Sequence, residues 1–274
     1  MNYSNIGDID WEKMWGIQAG HILNTGKEAS DFWDKRANSY EKSMRKSSYD
    51  NELLNRMSLR PEYSVLDVGG GTGLMAVPIA RKVQKVTVLD ISKGMLKILK
   101  DKTESLGITN ISIVNKNWYE MDVKSEMEPH DVILASRFLP MGKKLEESLS
   151  NMNSIARQLC YVTWRAQSFD SIEAASCHIL DRSYTPYPEY PIISNCLYKM
   201  GIKANIEIFE STSEQYFTNI DEAVRHFAKG EKPDNKEIRG KYQSFIESLL
   251  TKRTDGFYRE STTQWVMIWW NVNK

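Results

Sequence analysis

From Asn51 onward, short apolar runs alternate with segments whose apolar residues recur at helical spacing. The runs predict buried strands over 63–69, 86–90, 111–115, 131–136 and 160–164. The periodic segments between them predict helices over 51–59, 74–82, 95–106 and 145–159. Continuous apolar strands separated by helices are typical of a parallel sheet buried on both faces, so the pattern predicts a doubly wound α/β core.

The second half of the chain is less regular. Helices are predicted over 171–184 and 192–200, and a sixth strand over 203–209. Residues 211–256 are polar, charged and helix-favouring, which predicts a helical insertion. The chain then closes on an apolar run over 261–272, and a run that apolar is most simply a strand inside the sheet.

Composition narrows the classes of partner. The 274 residues are 41% hydrophobic, enough for a sizeable core, and carry 36 basic and 36 acidic side chains. This even balance argues against nucleic acid or an anionic membrane as the default partner. Because no signal peptide or membrane-spanning run is recognisable, we expect a cytoplasmic protein. The three cysteines form no CxxC pair and predict neither a disulfide framework nor a zinc site.

A glycine-rich loop follows the first predicted strand in VLDVGGGTGLMA. Residues 71–76 also fit the dinucleotide fingerprint G-x-G-x-x-A, so the loop alone leaves a dinucleotide-dependent oxidoreductase open. Asp67 separates the two hypotheses, because its carboxylate would repel a pyrophosphate at the helix N-terminus and attract an ammonium group. A second carboxylate, Asp90, ends the next strand, at the spacing where an acid accepts hydrogen bonds from ribose hydroxyls. A ligand with an ammonium group and a free ribose fits S-adenosylmethionine.

The succession VLDVGGGTG, VTVLDISKGML, Asn117-Trp118 and HDVILAS resembles the class I S-adenosylmethionine-dependent methyltransferases over about residues 49–165. The resemblance implies a seven-stranded, mostly parallel sheet whose last strand is antiparallel and lies beside the fifth. It implies one methyltransferase domain over 1–274. That domain would consist of an N-terminal helical cap (1–48), a cofactor-binding core (49–165) and a substrate-side half (166–274).

The resemblance also assigns roles to individual residues. The methionine part of the cofactor would be held by Asp67, Gly69, Gly71 and Gly73, the ribose by Asp90, and the adenine by Ile91, Met95, Asn117 and Trp118. Ser136 and Arg137 would lie where the sulfonium meets the acceptor. In the lead-in FWDKRANSYE, Trp33, Arg36 and Tyr40 share a helical face that could close over the cofactor carboxylate, and an ordinary amphipathic cap fits them equally.

The expected reaction is in-line methyl transfer, which leaves S-adenosylhomocysteine as product. Positioning can supply most of the catalysis, so no fixed catalytic residue and no metal are predicted. His178 or His226 could serve as a general base, although packed or surface roles are more common for such residues. A small-molecule acceptor is the first hypothesis. The alternatives are a protein or RNA methyltransferase and a non-catalytic module that binds the cofactor or its product; the oligomeric state stays open.

Overall fold

A computed structural model describes residues 6–19, 26–44, 46–139, 144–228 and 235–272. One mixed sheet organises these residues, in the order β3-β2-β1-β4-β5-β8-β6, with β7 paired to β8. The first five strands run parallel, whereas β8 is antiparallel to both β5 and β6. The strands are β1 (Ser64–Val68), β2 (Lys85–Asp90), β3 (Ile111–Asn115), β4 (His130–Ser136), β5 (Ala156–Arg165), β6 (Asn205–Phe217), β7 (Thr251–Arg253) and β8 (Gly256–Asn271).

Helices cover both faces of the sheet. They are α1 (Trp11–Ala19), α2 (Gly26–Met44), α3 (Tyr49–Leu54), α4 (Ala76–Ala80), α5 (Lys93–Leu106), α6 (Val123–Glu126), α7 (Leu145–Ile155), α8 (Ser171–Ile179), α9 (Tyr190–Lys199), α10 (Ile220–Phe227) and α11 (Lys236–Ser248). Local sequence explains the bounds of α5. Ser92 accepts a hydrogen bond from the backbone of Met95 at its start, and Gly107 ends it at a φ of 65°.

Side chains that alternate along the strands pack into two separate hydrophobic cores, one on each face of the sheet. Leu66 and Val68 face a core formed with α1, α7 and α9, while Val65 faces one formed with α3, α4 and α5. Asp67 lies on the same face as Val65, because strand residues two apart point the same way. A third, smaller cluster joins α10 and α11 to the end of β6 through Phe217 and neighbouring apolar residues.

The predicted mostly parallel sheet is confirmed, including the antiparallel last strand beside the fifth, although its described residues form eight strands rather than seven. Several boundaries differ, most of all at the later strands. β5 begins at Ala156, inside the segment predicted as helix, and β8 begins at Gly256 rather than at residue 261. Residues 211–256 do contain α10 and α11, but their first seven residues belong to β6 and residues 251–253 form β7. Residues 211–217 are polar because they extend the edge strand, whose inner side pairs with β8 and whose outer side meets residues 46–48 through an isolated bridge.

The N-terminal helices lie on opposite sides of the fold. α1 joins the core of α7 and α9, where the indole of Trp15 packs 5.3 Å from that of Trp164. α2 packs along α5 at the carboxyl edge of the sheet. Across the described ranges, no helix has both the length and the apolar composition that crossing a bilayer requires. The division of the chain at residues 48 and 165 stays a prediction.

We predict that Trp15→Ala lowers the free energy of unfolding by about 3 to 5 kcal/mol, because it leaves a cavity in a fully buried site. Ile17→Ala is the matched control, since Ile17 lies on the same helix but is 70% exposed, and should change that free energy by less than about 0.5 kcal/mol. Urea denaturation of both variants measures the difference. Equal effects would show that α1 does not anchor to the core.

Candidate functional site

The candidate site lies at the carboxyl ends of β1, β2 and β4. β1 pairs with β2 on one side and β4 on the other, so the chain leaves β1 at the point where the strand order reverses. Ligands of open α/β sheets bind in the crevice at such a point. Asp67 is the fourth residue of β1, and Asp90 is the last residue of β2. The parallel register therefore brings both predicted carboxylates to one edge.

The glycine loop that follows β1 needs backbone conformations that other residues rarely adopt. Gly69 and Gly71 have φ angles of 69° and 56°, in the left-handed region. A Cβ at Gly70 would lie 2.7 Å from Oδ2 of Asp67, so only glycine leaves room for that carboxylate. At Gly71 the nearest neighbours of a Cβ would be Asp90 Oδ2 and Met95 Sδ, both at 3.9 Å. The loop is thus open toward Asp90 and Met95, where a ligand can approach its backbone.

Gly73 has a different task from the glycines before it. Its N–H donates to the carbonyl of Gly70 at 2.9 Å, which closes the turn. A Cβ at Gly73 would lie 2.4 Å from Cδ1 of Leu99, a buried residue of α5. Gly73 therefore lets the loop pack closely against α5, and its contribution to a ligand site would be indirect.

Asp67 is a buried carboxylate without a full set of partners. It is 1% exposed, and its Oδ2 has no hydrogen-bond partner. Burial, reinforced by the nearby charge of Asp90, raises the pKa of Asp67 to about 7, although a backbone hydrogen bond from Ala76 favours the charged form. A buried carboxylate in this state gains most from a cationic ligand group. The unpartnered oxygen therefore fits the ammonium group of S-adenosylmethionine.

Asp90 is held in place by backbone amides on both sides. Its Oδ2 accepts from the N–H of Gly71 at 2.9 Å, and its Oδ1 accepts from the N–H of Ser92 at 2.8 Å. Asn115 donates to the carbonyls of Asp90 and Ile91 at 3.0 and 2.9 Å, which fixes the end of β2. Burial raises the pKa of Asp90. Each carboxylate oxygen can accept a further hydrogen bond, so the geometry fits a pair of ribose hydroxyls.

The residues predicted for the adenine are brought together only in part. Ile91 is half-buried directly after Asp90, and Met95 is buried in the first turn of α5. Asn117 accepts from the N–H of Tyr119 through Oδ1 at 3.1 Å. Trp118 is 2% exposed and donates its indole N–H to Ser148 Oγ at 2.8 Å. The structure therefore gives Trp118 a packing role in the core, and its contact with adenine stays a prediction.

Helix α2 lies across this edge and is fastened by contacts that the sequence analysis missed. Asp34 Oδ1 accepts from Ser92 Oγ at 2.5 Å and from the N–H of Gly94 at 2.7 Å. Gly94 permits this approach, because its Cβ would lie 3.1 Å from the Cα of Asp34. Further along, Lys102 donates to Glu41 and to the carbonyl of Thr72, both at 2.9 Å. α2 is thus tied to α5 and to the glycine loop.

Of the three residues predicted to share one face of α2, two contact each other and the third stacks on another ring. The rings of Trp33 and Tyr40 meet edge to face, with centroids 6.0 Å apart. The guanidinium of Arg36 stacks instead on Phe32, 3.7 Å from the ring centroid. The Tyr40 hydroxyl accepts a hydrogen bond from the guanidinium of Arg137, which links α2 to the end of β4. Closure of this face over a cofactor carboxylate stays a prediction.

Beyond β4 the site carries hydroxyls and an arginine. The Tyr49 hydroxyl is hydrogen-bonded to Ser136 Oγ at 2.8 Å and to Thr163 Oγ1 at 2.6 Å. Arg137 has a φ of 57°, and its N–H donates to Thr163 Oγ1 at 3.0 Å. A non-glycine residue in this conformation costs energy and is common at functional sites. Burial raises the pKa of Tyr49, so its hydroxyl stays protonated and can orient Ser136.

The two histidines considered as bases lie in other surroundings. His178 is exposed near the end of α8. His226 packs against Phe217 and Phe227, with ring centroids 5.3 and 5.1 Å away, and burial lowers its pKa. Within the described ranges, neither ring is hydrogen-bonded to the carboxylates at the ends of β1 and β2. The structure supplies no contact that supports a catalytic histidine.

Comparison with known proteins defines the class of this site. Residues 65–159 match the family model of the methyltransferase domain. An uncharacterized protein of Haemophilus influenzae is 26% identical over 252 residues, which cover 88% of this chain and 89% of that protein. The demethylmenaquinone methyltransferase of Oceanobacillus iheyensis is 32% identical over 87 residues, which cover 31% of this chain and 37% of that enzyme.

A solved structure extends the likeness of fold beyond this segment. Phosphoethanolamine N-methyltransferase 2 of Haemonchus contortus, in complex with phosphomonomethylethanolamine and S-adenosylhomocysteine, superposes with a TM-score of 0.55. The match is 13% identical and covers 92% of this chain and 61% of that one. The chain therefore contains a class I methyltransferase domain at residues 65–159. The match of residues 65–159, together with the geometry of Asp67 and Asp90, is that of a methyltransferase that uses S-adenosylmethionine.

We predict that Asp67→Asn stabilises the ligand-free protein more at pH 8 than at pH 5. Stability associated with Asp67 is lost as the pH rises from its ordinary pKa of 3.8 through the folded value of about 7, because only the unfolded chain ionises readily. At about 1.4 kcal/mol per pKa unit, the two units between pH 5 and the folded pKa of about 7 should increase the advantage of the variant by about 3 kcal/mol. Urea denaturation at both pH values measures it.

Asp131→Asn is the control for this prediction. Asp131 lies at the opposite edge of the sheet and accepts two hydrogen bonds from Ser64, at 2.8 and 2.7 Å. Its substitution should not stabilise the protein at either pH. If Asp67→Asn showed no gain over the wild type at pH 8, the carboxylate would not be a source of strain in the ligand-free site.

Proposed function

We propose that the protein transfers the methyl group of S-adenosylmethionine to a small-molecule acceptor that binds beside the end of β4. The proposal rests on how the region beside the end of β4, here called the acceptor end, is covered by neighbouring side chains. Tyr40 of α2 reaches Arg137, while Tyr49 and Trp265 lie on the other sides of the same guanidinium, 4.5 and 5.6 Å from it. A site enclosed by a fastened helix and by aromatic rings suits a small molecule better than a folded protein or an RNA duplex.

The residues that would hold the cofactor follow from the geometry. Asp67 would pair with the ammonium group and Asp90 with the ribose hydroxyls. The open side of Gly71 would face the methionine chain, since a side chain at that position would project toward Asp90 and Met95. Ile91 and Met95 would contact the adenine, and Asn117 would accept from its amino group. Trp33 and Tyr40 would cover the methionine end from α2.

The bound sulfonium supplies an activated methyl group, and the chain has to align the acceptor with it. Ser136 would meet the acceptor from the end of β4, oriented by its hydrogen bond to Tyr49. Tyr49 is fully buried and its raised pKa makes it a poor base at neutral pH. The described residues at this end therefore favour positioning over proton abstraction. An acceptor that is already nucleophilic at neutral pH needs no more than that.

We predict that S-adenosylmethionine and S-adenosylhomocysteine raise the melting temperature, whereas NAD and NADP do not. A ligand at 100 times its Kd adds about 2.7 kcal/mol to the stability of the native state. Asp90→Ala should lose the shift, because among the described residues this carboxylate is the group at the end of β2 that can accept both ribose hydroxyls. Asp101→Ala, at an exposed aspartate of α5, should keep it. A shift with NAD alone would contradict the proposal.

We predict that label from methyl-tritiated S-adenosylmethionine enters the small-molecule fraction of a bacterial extract. The reason is the enclosed acceptor end, which leaves little room for a polymer. Size filtration followed by nuclease and protease treatment separates the three classes of acceptor, and Asp90→Ala is the inactive control. Label in RNA or protein would contradict a small-molecule acceptor, and binding without any transfer would favour a non-catalytic module. The cytoplasmic location stays a prediction.

A further inference from the structure

Two arginines lie beside one indole ring at the acceptor end. The guanidinium carbon of Arg137, after β4, is 5.6 Å from the ring centroid of Trp265, and that of Arg165, at the end of β5, is 5.8 Å from it. Arg165 is paired in register with Trp265 across β5 and β8. The indole itself is fixed, because it is 9% exposed and donates to Ser211 Oγ at 2.9 Å. Two positive charges therefore converge on one rigid apolar surface.

In the part of the chain that the structure describes, Arg137 has no hydrogen-bonded counter-ion, and its charge acts on Asp67 only as a minor electrostatic effect that lowers the pKa of that carboxyl. Its partners are the Tyr40 hydroxyl, the Met44 sulfur at 3.4 Å and the faces of aromatic rings. Within the described ranges it forms no ion pair with a carboxylate, and its buried Nε–H has no acceptor. Arginine donates five hydrogen bonds in a planar fork that matches carboxylate and phosphate groups. The unused donor and the strained backbone together indicate a ligand group with acceptor oxygens.

Arg165 is only loosely engaged. Within the described ranges its ion pair is with Oδ2 of Asp170 at a long 3.9 Å, while Oδ1 of Asp170 accepts from two backbone amides at the start of α8. Its guanidinium also lies 4.6 Å from the ring centroid of Tyr187. About a third of the Arg165 side chain is exposed, so this ion pair contributes little by itself. Arg165 is therefore free to bind a second negative group.

From the arginine pair we infer that the methyl acceptor carries an anionic group, a carboxylate or a phosphate, bound by Arg137 and Arg165 next to Trp265. The inference rests on the proposed function, because it concerns the acceptor side of the same site. Rings of Tyr187 and Trp265 would contact an apolar body attached to the anion. An anion here would also face the sulfonium, whose positive charge adds to the attraction.

The position of the pair favours the acceptor over the carboxylate of the cofactor. Asp67 and Asp90 occupy β1 and β2, whereas Arg137 extends from β4 toward Trp265 on β8, past β5. Arg165 lies further along the same direction, at the end of β5. A cofactor carboxylate near Asp67 could reach Arg137, but Arg165 belongs to the strands beyond the cofactor. Arg165 is accordingly the residue that distinguishes the two ligands.

The test is calorimetric titration of the protein saturated with S-adenosylhomocysteine, with benzoate, phenyl phosphate and neutral benzamide as probes. We expect at least one anionic probe to bind and benzamide to bind at least about tenfold more weakly. Which anion binds more tightly tells a carboxylate acceptor from a phosphorylated one. Arg165→Gln should weaken the anion by about tenfold or more and leave the affinity for S-adenosylhomocysteine unchanged. The affinity of Arg165→Lys for the anion should lie between those of the wild type and Arg165→Gln, because lysine keeps the charge but loses the planar fork.

Arg157→Gln is the matched control. Arg157 lies on β5 like Arg165, but at the opposite edge of the sheet. Its substitution removes the same charge without affecting the surroundings of Trp265. It should bind the anion like the wild type. Binding of benzamide as tight as that of both benzoate and phenyl phosphate, or full anion binding by Arg165→Gln, would overturn the inference. So would a loss of S-adenosylhomocysteine affinity in Arg137→Gln together with unchanged anion binding in Arg165→Gln. If S-adenosylhomocysteine did not bind the wild type, the proposed function itself would fail.

Discussion

The pairing of β1 between β2 and β4 is the constraint on which the rest of this protein depends. Three neighbouring parallel strands end at the same edge, so a carboxylate on β1, a second on β2 and a hydroxyl on β4 become neighbours although they are far apart in sequence. β8 also contributes a residue near this edge, and it runs antiparallel to β5. Its antiparallel register with β5 brings Trp265 beside Arg165 rather than to the far side of the sheet. Cofactor and acceptor ends thus follow from one strand order.

A buried negative charge accompanies this arrangement. Asp67 sits where it is desolvated and lies near Asp90, so the ligand-free fold raises its pKa instead of stabilising its charge. Gly70 has no side chain because one would collide with that carboxylate. The fold therefore keeps an unfavourable group in the middle of its sheet, and a cationic ligand would relieve it. Loss of stability at functional positions of this kind is a common cost of activity.

The helix over the site shows how a lid can be ordered without a large apolar interface. α2 has few buried residues, and polar contacts hold it instead: Asp34 to the start of α5, and Glu41 through Lys102 to the glycine loop. Tyr40 then meets Arg137 from above. These contacts hold α2 against the start of α5 and the glycine loop, which are the segments that would bind the cofactor.

Much of the core was determined by the sequence alone. Apolar runs and their spacing predicted the five parallel strands, and the family resemblance predicted the antiparallel last strand. Asp67, the glycines and Asp90 could be recognised from the local sequence, because strand ends and turns depend on nearby residues. The start of β5 and the extension of β6 were missed, since polar edge residues lack an apolar signal. Trp118 packs into the core, and its expected contact with the adenine stays a prediction. Only the tertiary structure determined the contacts of Asp34, Tyr49 and Arg165. Each of these residues contacts a side chain more than 50 positions away in the sequence, and such long-range contacts leave no local pattern.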